Sequence, residues 1–244
     1  MTAKTRKLTV FIVITVLLIA AGTVFIVRQA NMRHSREEEA EEMAAEPEAP
    51  APQTEEEQDA PDIDYLILVD KNHMLPDDWE EKISLVSTVN SVGDEVWTEE
   101  TAYDAYLKLK DNLAQEGIYV ELDSAYRSVA DQQKIIDDFT EKYGEAYAHT
   151  YASEPGTSEH HTGLALDLYL IVDGNTVYEN EDLVQYPEIW ARIHEKLPDY
   201  GFILRYPEGN SSGYPYEPWH IRYVGIEAAK EMTENGLTLE EYLN

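Results

Sequence analysis

This chain of 244 residues has no cysteine, which excludes disulfides and any chemistry that runs through a thiolate. The absence agrees with a domain that works outside the cytoplasm and avoids unwanted thiol reactions. Positive charge is also scarce. Eighteen Lys and Arg stand against 49 Asp and Glu, for a formal net charge of −31. A chain that acidic repels phosphate backbones, so nucleic acid is excluded as a partner. No internal repeat is visible, which leaves an ordinary globular core rather than a solenoid.

The residues are unevenly spread. Positions 8–27 read LTVFIVITVLLIAAGTVFIV, with no charge and no proline. Twenty helical residues at about 1.5 Å each span roughly 30 Å, the hydrocarbon thickness of a bilayer. A cleaved signal peptide would have a shorter apolar core ending at a small-x-small site. Here Ala20-Ala21-Gly22 lies inside the run, so an uncleaved anchor is expected. Lys4, Arg6 and Lys7 before it nearly balance Arg28, Arg33 and Arg36 after it. The free amino terminus tips the orientation toward a cytoplasmic tail at 1–7 and an extracytoplasmic domain. The tract from Glu37 to Asp62 holds ten Glu, two Asp and no Lys or Arg, with Pro47, Pro50, Pro52 and Pro61 among alanines. Such a stretch repels itself and has no apolar face to bury, so 28–61 is expected to be a disordered acidic tether.

Residues 62–244 suffice for one core. Tyr65–Val69 is a short apolar run that suits a strand or a lead-in. Thr98 is placed to cap a helix running to about Glu116, stopped by Gly117. Ile118–Tyr126 alternates as a strand does, and Ser128 with Asp131 resembles a cap for a helix ending at Gly144. A short helix is expected over 145–152. Leu164–Val172 reads as a strand closed by Asp173-Gly174-Asn175, Pro187–Leu197 as a helix, and Tyr200–Tyr206 and Trp219–Val224 as strands. The end, Ile226–Leu243, reads as helical with a break at Asn235-Gly236. Helices and strands in irregular order predict a single α+β domain, its mainly antiparallel sheet flanked by helices.

The chemistry concentrates in two segments, Ser158-Glu159-His160-His161-Thr162-Gly163-Leu164-Ala165-Leu166-Asp167 and Glu217-Pro218-Trp219-His220. A lone histidine is most often a hydrogen-bonded core or surface residue. Two short, glycine- or proline-bounded segments with complementary donors are another matter. His160, Asp167 and His220 make three ligands of the kind that hold a catalytic zinc while leaving room for water. The seven-residue step from His160 to Asp167 needs a bend at Gly163, unlike the helical H-E-x-x-H pair. On an extended backbone His161 points away from His160, so it is expected behind the ligands or exposed. Glu217, three residues before a ligand and held by Pro218, is the candidate base; the alternative is an ordinary surface Glu. A carboxylate there takes a proton from the attacking water and later gives it to the leaving amine. Arg127, at a strand-to-helix corner, is suited to bind a chain-terminal carboxylate bidentately, against the alternative of a structural salt bridge. Ser158, Gln132 and Tyr214 are weaker candidates for hydrogen bonds to substrate.

These residues resemble the VanY-like zinc D-alanyl-D-alanine carboxypeptidases of bacterial cell walls. The likeness runs from about Tyr65 to Leu243. It rests on Ser124-Ala125-Tyr126-Arg127-Ser128 with Gln132, on Ser158, His160, Gly163 and Asp167 at their spacing, and on Gly201-Phe202-Ile203-Leu204-Arg205-Tyr206-Pro207. Gly213-Tyr214, Tyr216-Glu217-Pro218-Trp219-His220 and the closing Leu239-Glu240-Glu241-Tyr242-Leu243 complete it. The resemblance implies the fold shared with the zinc domain of Hedgehog signalling proteins. It also implies one zinc ion on His160, Asp167 and His220, Glu217 as base, and Arg127, helped by Ser158 and Gln132, on the substrate's terminal carboxylate. Two departures touch substrate fit: Asn210-Ser211-Ser212-Gly213 ahead of Tyr214, and WARIHEKLPDY over 190–200.

The implied activity is removal of the last D-alanine from peptidoglycan stem pentapeptides by a membrane-tethered enzyme. Two alternatives stand beside it. One is an L,D-carboxypeptidase acting on tetrapeptides; the other is a zinc-stabilised module that grips wall peptides without cutting them, against which Glu217 speaks.

Overall fold

Helices and strands alternate irregularly along residues 63–210 and 212–244, the part that the computed structural model describes. Leu85–Val89 (β1) and Glu95–Glu99 (β2) form an antiparallel hairpin. Asn90 builds its turn, its side-chain oxygen accepting from the backbone N–H groups of Val92, Gly93 and Asp94. Glu100–Gln115 (α1) follows and buries Ala102, Tyr106, Leu109 and Leu113, one stripe at helical spacing. Tyr119–Ser124 (β3) leads into Val129–Tyr143 (α2) and Glu145–Tyr151 (α3). Next come Ala165–Val172 (β4), Asn175–Val177 (β5), Asn180–Leu183 (α4) and Pro187–Lys196 (α5). Phe202–Leu204 (β6), His220–Tyr223 (β7), Ile226–Asn235 (α6) and Leu239–Tyr242 (α7) close the chain.

The result is an α+β domain with antiparallel sheets. Strands β3, β4, β7 and β6 lie side by side in that order, and β5 also pairs with β4. Alternation decides which face of β4 does what. Leu166, Leu168 and Leu170 are buried and join Leu109 and Leu113 of α1 and Trp190 and Ile193 of α5 in one core. Asp167 points the other way, and the pairing places it opposite both Ser124 of β3 and His220 of β7. The β3 register shifts between Leu122 and Ser124, so Asp123 is the extra residue of a bulge. A bulge re-aims the side chains that follow it, and the segment that follows carries Arg127.

Several expectations change. The first helix is capped by Glu99, which accepts from the Ala102 N–H at 2.9 Å. Thr98 lies in β2 and its hydroxyl donates to the Gly163 carbonyl instead. Tyr65–Val69 is a lead-in and pairs with no strand; the carbonyls of Tyr65 and Ile67 are taken by Arg222. The strand expected over 200–206 shortens to Phe202–Leu204, because Leu197–Tyr200 forms a 3-10 turn ended by Gly201. The β1–β2 hairpin and β5 were not anticipated. Ser128 caps α2 as its sequence suggests, accepting from the Asp131 N–H at 3.1 Å. Among the described residues no helix is long and apolar enough to cross a membrane. The tail at 1–7, the anchor at 8–27 and the tether at 28–61 lie outside the described residues.

Gly163 ends the Glu159–Thr162 turn with φ 72°, and a Cβ there would sit 3.1 Å from the Glu99 backbone nitrogen. Gly174 has φ 77° with nothing within 4 Å. Gly163→Ala is therefore expected to cost about 2–4 kcal/mol in urea unfolding, strain plus overpacking. Gly174→Ala should cost only about 1 kcal/mol. Equal losses would show that the close approach at Gly163 is not felt.

Candidate metal centre

Three donor atoms converge, one each from His160, Asp167 and His220, all within 4.8 Å of one another. Asp167 and His220 meet because they are direct partners across β4 and β7. His160 comes from the Glu159–Thr162 turn, not from the sheet. Its Nε2 lies 3.2 Å from Asp167 Oδ2, and His220 Nδ1 lies 3.0 Å from Asp167 Oδ1. The two imidazole planes stand edge to face, 5.1 Å apart.

The far nitrogens settle the tautomers. His160 Nδ1 donates to the Ala125 carbonyl at 2.6 Å, leaving the lone pair of Nε2 facing Asp167. His220 Nε2 faces Glu159 Oε2 at 3.4 Å, leaving the Nδ1 lone pair facing the same place. Outer partners of this kind orient histidines that bind metals. The donor set fits a divalent ion on one further ground. Asp167 Oδ1 is buried and, with both imidazoles neutral and their protons on the far nitrogens, accepts no hydrogen bond, although buried oxygens rarely go without one. Burial by itself would raise the Asp167 carboxyl, but the two histidines hold it well below the usual carboxylate range. Burial would lower His220, yet Asp167, by charge and hydrogen bond, pushes it up to about 10. Both shifts express one demand, positive charge beside Asp167, which a metal cation meets with both imidazoles neutral.

Glu217 stands next to this cluster, its Oε2 3.8 Å from His220 Nδ1. Burial raises it above the ordinary carboxylate range; His220 opposes the rise and Asp167 adds to it. Its backbone is pinned, since the Glu217 N–H donates to Tyr206 O and His220 N–H donates to Glu217 O. His194 Nε2 donates to the Pro218 carbonyl at 2.9 Å, fixing the residue between them.

Arg127 lies beside the same cluster, its backbone N–H donating to His160 O at 3.0 Å. The guanidinium donates to Gln132 Oε1 at 3.0 Å and to Ser124 Oγ at 3.1 Å, both neutral groups. Among the described residues it makes no ion pair, so the structural salt bridge weighed for it is not found. Gln132 is buried with both ends engaged, its Nε2 donating to Ser153 O at 2.8 Å, so it orients Arg127. Ser158 is buried where the turn begins, and its carbonyl accepts from His161 N–H. Tyr214 stands further out. Its ring stacks on Tyr206 at 4.7 Å, and Tyr206 in turn lies 4.8 Å from the His220 ring.

Of the two places expected for His161, behind the ligands or exposed, the structure agrees with the first, though not with the extended backbone. The backbone here is a 3-10 turn rather than extended, and the side chain is buried, not exposed. Its Nδ1 donates to Arg127 O at 2.6 Å and its Nε2 accepts from the Gly156 N–H at 3.0 Å, so both nitrogens are committed to backbone. Glu159, Arg205 and Arg222 were missed altogether. The signal was present: Arg222 is two residues past His220 on a strand, hence on the same face, and a buried arginine needs a buried acid.

Residues 95–226 match the family described as VanY, D-alanyl-D-alanine carboxypeptidase, more than half of the chain. The chain belongs to the VanY family. A D-alanyl-D-alanine carboxypeptidase of Enterococcus faecalis (strain ATCC 700802 / V583) is 34% identical, the match covering 73% of this chain and 65% of that protein. The chain spans just under two thirds of the length of two curated relatives it matches, 66% and 65%. Among solved structures, the vancomycin resistance D,D-pentapeptidase VanY in complex with Zn(II) is 34% identical. Its TM-score is 0.58, with 74% of this chain and 99% of that one covered. The LdcB LD-carboxypeptidase is 35% identical with TM-score 0.63, covering 73% of this chain and 85% of that one.

Burial holds His194 below its ordinary value, so it stays neutral in the folded protein. The unfolded chain takes up this proton near about pH 6.5. The stability due to keeping His194 neutral is thus complete above that pH and is lost as pH falls through the lower native value. His194→Gln keeps a donor for Pro218 O and removes the proton uptake. Urea midpoints at pH 7.5 and 5 should fall less for the variant than for the parent; equal falls would refute this.

Proposed function

We propose that the domain is a zinc-dependent D,D-carboxypeptidase that removes the C-terminal D-alanine from peptidoglycan stem pentapeptides. One observation carries the reading: beside the ligand cluster stand a carboxylate base and an arginine whose guanidinium is held by two neutral groups and, among the described residues, makes no ion pair. In a chain of net charge −31, an arginine whose guanidinium donates only to neutral groups is suited to an incoming anion. The anion that the site calls for is the terminal carboxylate of a peptide, one residue beyond the bond to be cut.

His160, Asp167 and His220 would hold the ion, one per chain. When bound, zinc supplies Lewis-acid chemistry, making water a nucleophile near neutral pH and polarising the scissile carbonyl. Arg127, steadied by Gln132 and Ser124, aligns the peptide through its free end. Glu217, raised by burial, accepts a proton from the attacking water at its carboxylate and delivers it to the leaving amine nitrogen. Ser158 and Tyr214 would add hydrogen bonds to the bound peptide.

The likeness to an LD-carboxypeptidase supports a second reading, cleavage of tetrapeptides. The two activities differ in the stereocentre before the cut and share every group named above. A binding module without catalysis is the third reading, and Glu217 is the feature it leaves unused.

The uncharged run at 8–27 and the acidic tract after it support a single-pass anchor with the domain on the wall side of the membrane. A tether of about 30 residues reaches a few tens of ångströms, more where like charges stretch it. Deleting 8–27 should release the protein from the membrane fraction, and protease added to intact protoplasts should remove the domain; an unmoved or protected domain contradicts the anchor.

With synthetic stem peptides, mass spectrometry should show loss of one D-alanine from pentapeptide, abolished by chelator and restored by zinc. Loss from tetrapeptide alone would favour the L,D reading. Glu217→Gln should keep its zinc and lose about 10²–10⁴-fold in kcat. Arg127→Ala should lower kcat/KM on free-acid peptides far more than on C-terminal amides, and an equal fall on both would exclude the carboxylate anchor.

A further inference from the structure

The first and last described segments of the domain both end on the same buried charges, and those charges face a residue of the metal cluster. Glu159 Oε1 accepts from Arg205 Nε at 2.7 Å and from Arg222 NH1 at 3.0 Å. That double hold leaves the second oxygen, Oε2, turned to His220 Nε2. The Arg205 and Arg222 side chains are 0% exposed and that of Glu159 is 1% exposed, so water does not compete for these bonds. Arg205 gives its other two nitrogens to Glu240 of α7, at 3.0 and 2.7 Å. Arg222 NH2 donates to Tyr65 O and Ile67 O of the lead-in, at 3.1 and 2.8 Å. Leu66 and Leu68 of the lead-in also pack on the small apolar cluster of Ile203, Val224, Met232 and Leu239.

We propose that Glu159, Arg205, Arg222 and Glu240 form a positioning clamp on His220, through which metal retention depends on the docking of the lead-in and of the last helix. This rests on the metal reading given above. Two acids and two arginines cancel, so the group can be buried without net charge, while loss of one partner strands the others. The clamp aims one oxygen of Glu159 at the far nitrogen of His220, and that contact decides which imidazole nitrogen keeps its lone pair. Among the described residues Glu240 touches neither His220 nor any other residue of the cluster, so its effect on metal binding passes through Arg205, which meets His220 by way of Glu159 and also directly, its backbone N–H donating to the His220 carbonyl at 3.2 Å.

The test uses the purified full-length protein, Glu159→Gln, Glu240→Gln and the double variant. Zinc affinity is measured by competition with a chromophoric chelator, and the melting temperature of each metal-free protein is measured alongside. Glu159→Gln should weaken zinc by about 10- to 100-fold, and Glu240→Gln by several-fold. The clamp routes both residues through Glu159, so the double variant should bind zinc no more weakly than Glu159→Gln alone; a further loss would place the effect of Glu240 on another route and overturn the clamp. Lower metal-free melting temperatures with unchanged zinc affinity would mean a structural role only and would overturn the clamp. If Glu159→Gln does not fold, Glu240→Gln decides: parental affinity overturns the proposal and weaker binding upholds it. A parent protein that binds no zinc would overturn the metal reading itself, and the clamp with it.

Discussion

The pairing of Asp167 with His220 across β4 and β7 is the constraint on which the rest of the site depends. Antiparallel partners in one row put their side chains on the same face. Leucines at 166, 168 and 170 commit the other face of β4 to the core, and a slip of one residue would turn Asp167 inward. The core therefore sets the position of the carboxylate. The remaining ligand cannot come from the same row. It arrives on a separate turn, whose exit depends on Gly163 in the left-handed region and whose imidazole is held by the Ala125 carbonyl.

Positive charge is scarce in this protein, and where it is buried it divides into two kinds. Arg205 and Arg222 are matched to Glu159 and Glu240 and to backbone carbonyls. Burial favours the neutral carboxylic acid, yet the two arginines and His220 keep Glu159 well below the usual carboxylate range. Arg127 is held by Gln132 and Ser124, neutral groups that position it without an ion pair. Burial lowers it from the ordinary arginine value, with the charge of Asp167 pulling back. The same side chain thus serves as mortar in one place and as a receptor in the other, and the difference lies only in what surrounds it.

Much of this was legible from the chain alone. Ser128 before Asp131 and Gly117 after the first helix carry local signals that need no distant partner. So does the Asp173-Gly174-Asn175 turn, where Asp173 itself takes a positive φ of 51°. The ligand candidates at 160, 167 and 220 stood out because imidazole and carboxylate at bent, glycine-bounded spacing suit few other tasks. What failed was a choice between equals. Thr98 and Glu99 can each cap a helix, and the Gly163 carbonyl, 65 residues away in sequence, claims the threonine. The choice of His160 over His161 as ligand stands, and the carbonyl of Arg127 and the N–H of Gly156 hold the second histidine to the backbone.

The sequence by itself determined the inventory: an acidic, thiol-free domain of mixed helix and strand, with two imidazoles, two carboxylates and an arginine in short distinctive segments. Those properties follow from side-chain chemistry and near-neighbour spacing, which the order of residues contains directly. The tertiary structure decided which acid answers which base. Glu159 looked like one of many acidic residues until the sheet brought Arg205, Arg222 and His220 around it. Such pairings join positions 46, 61 and 63 residues apart. No local pattern encodes contacts of that range, because they come into being only when the strands close on the core.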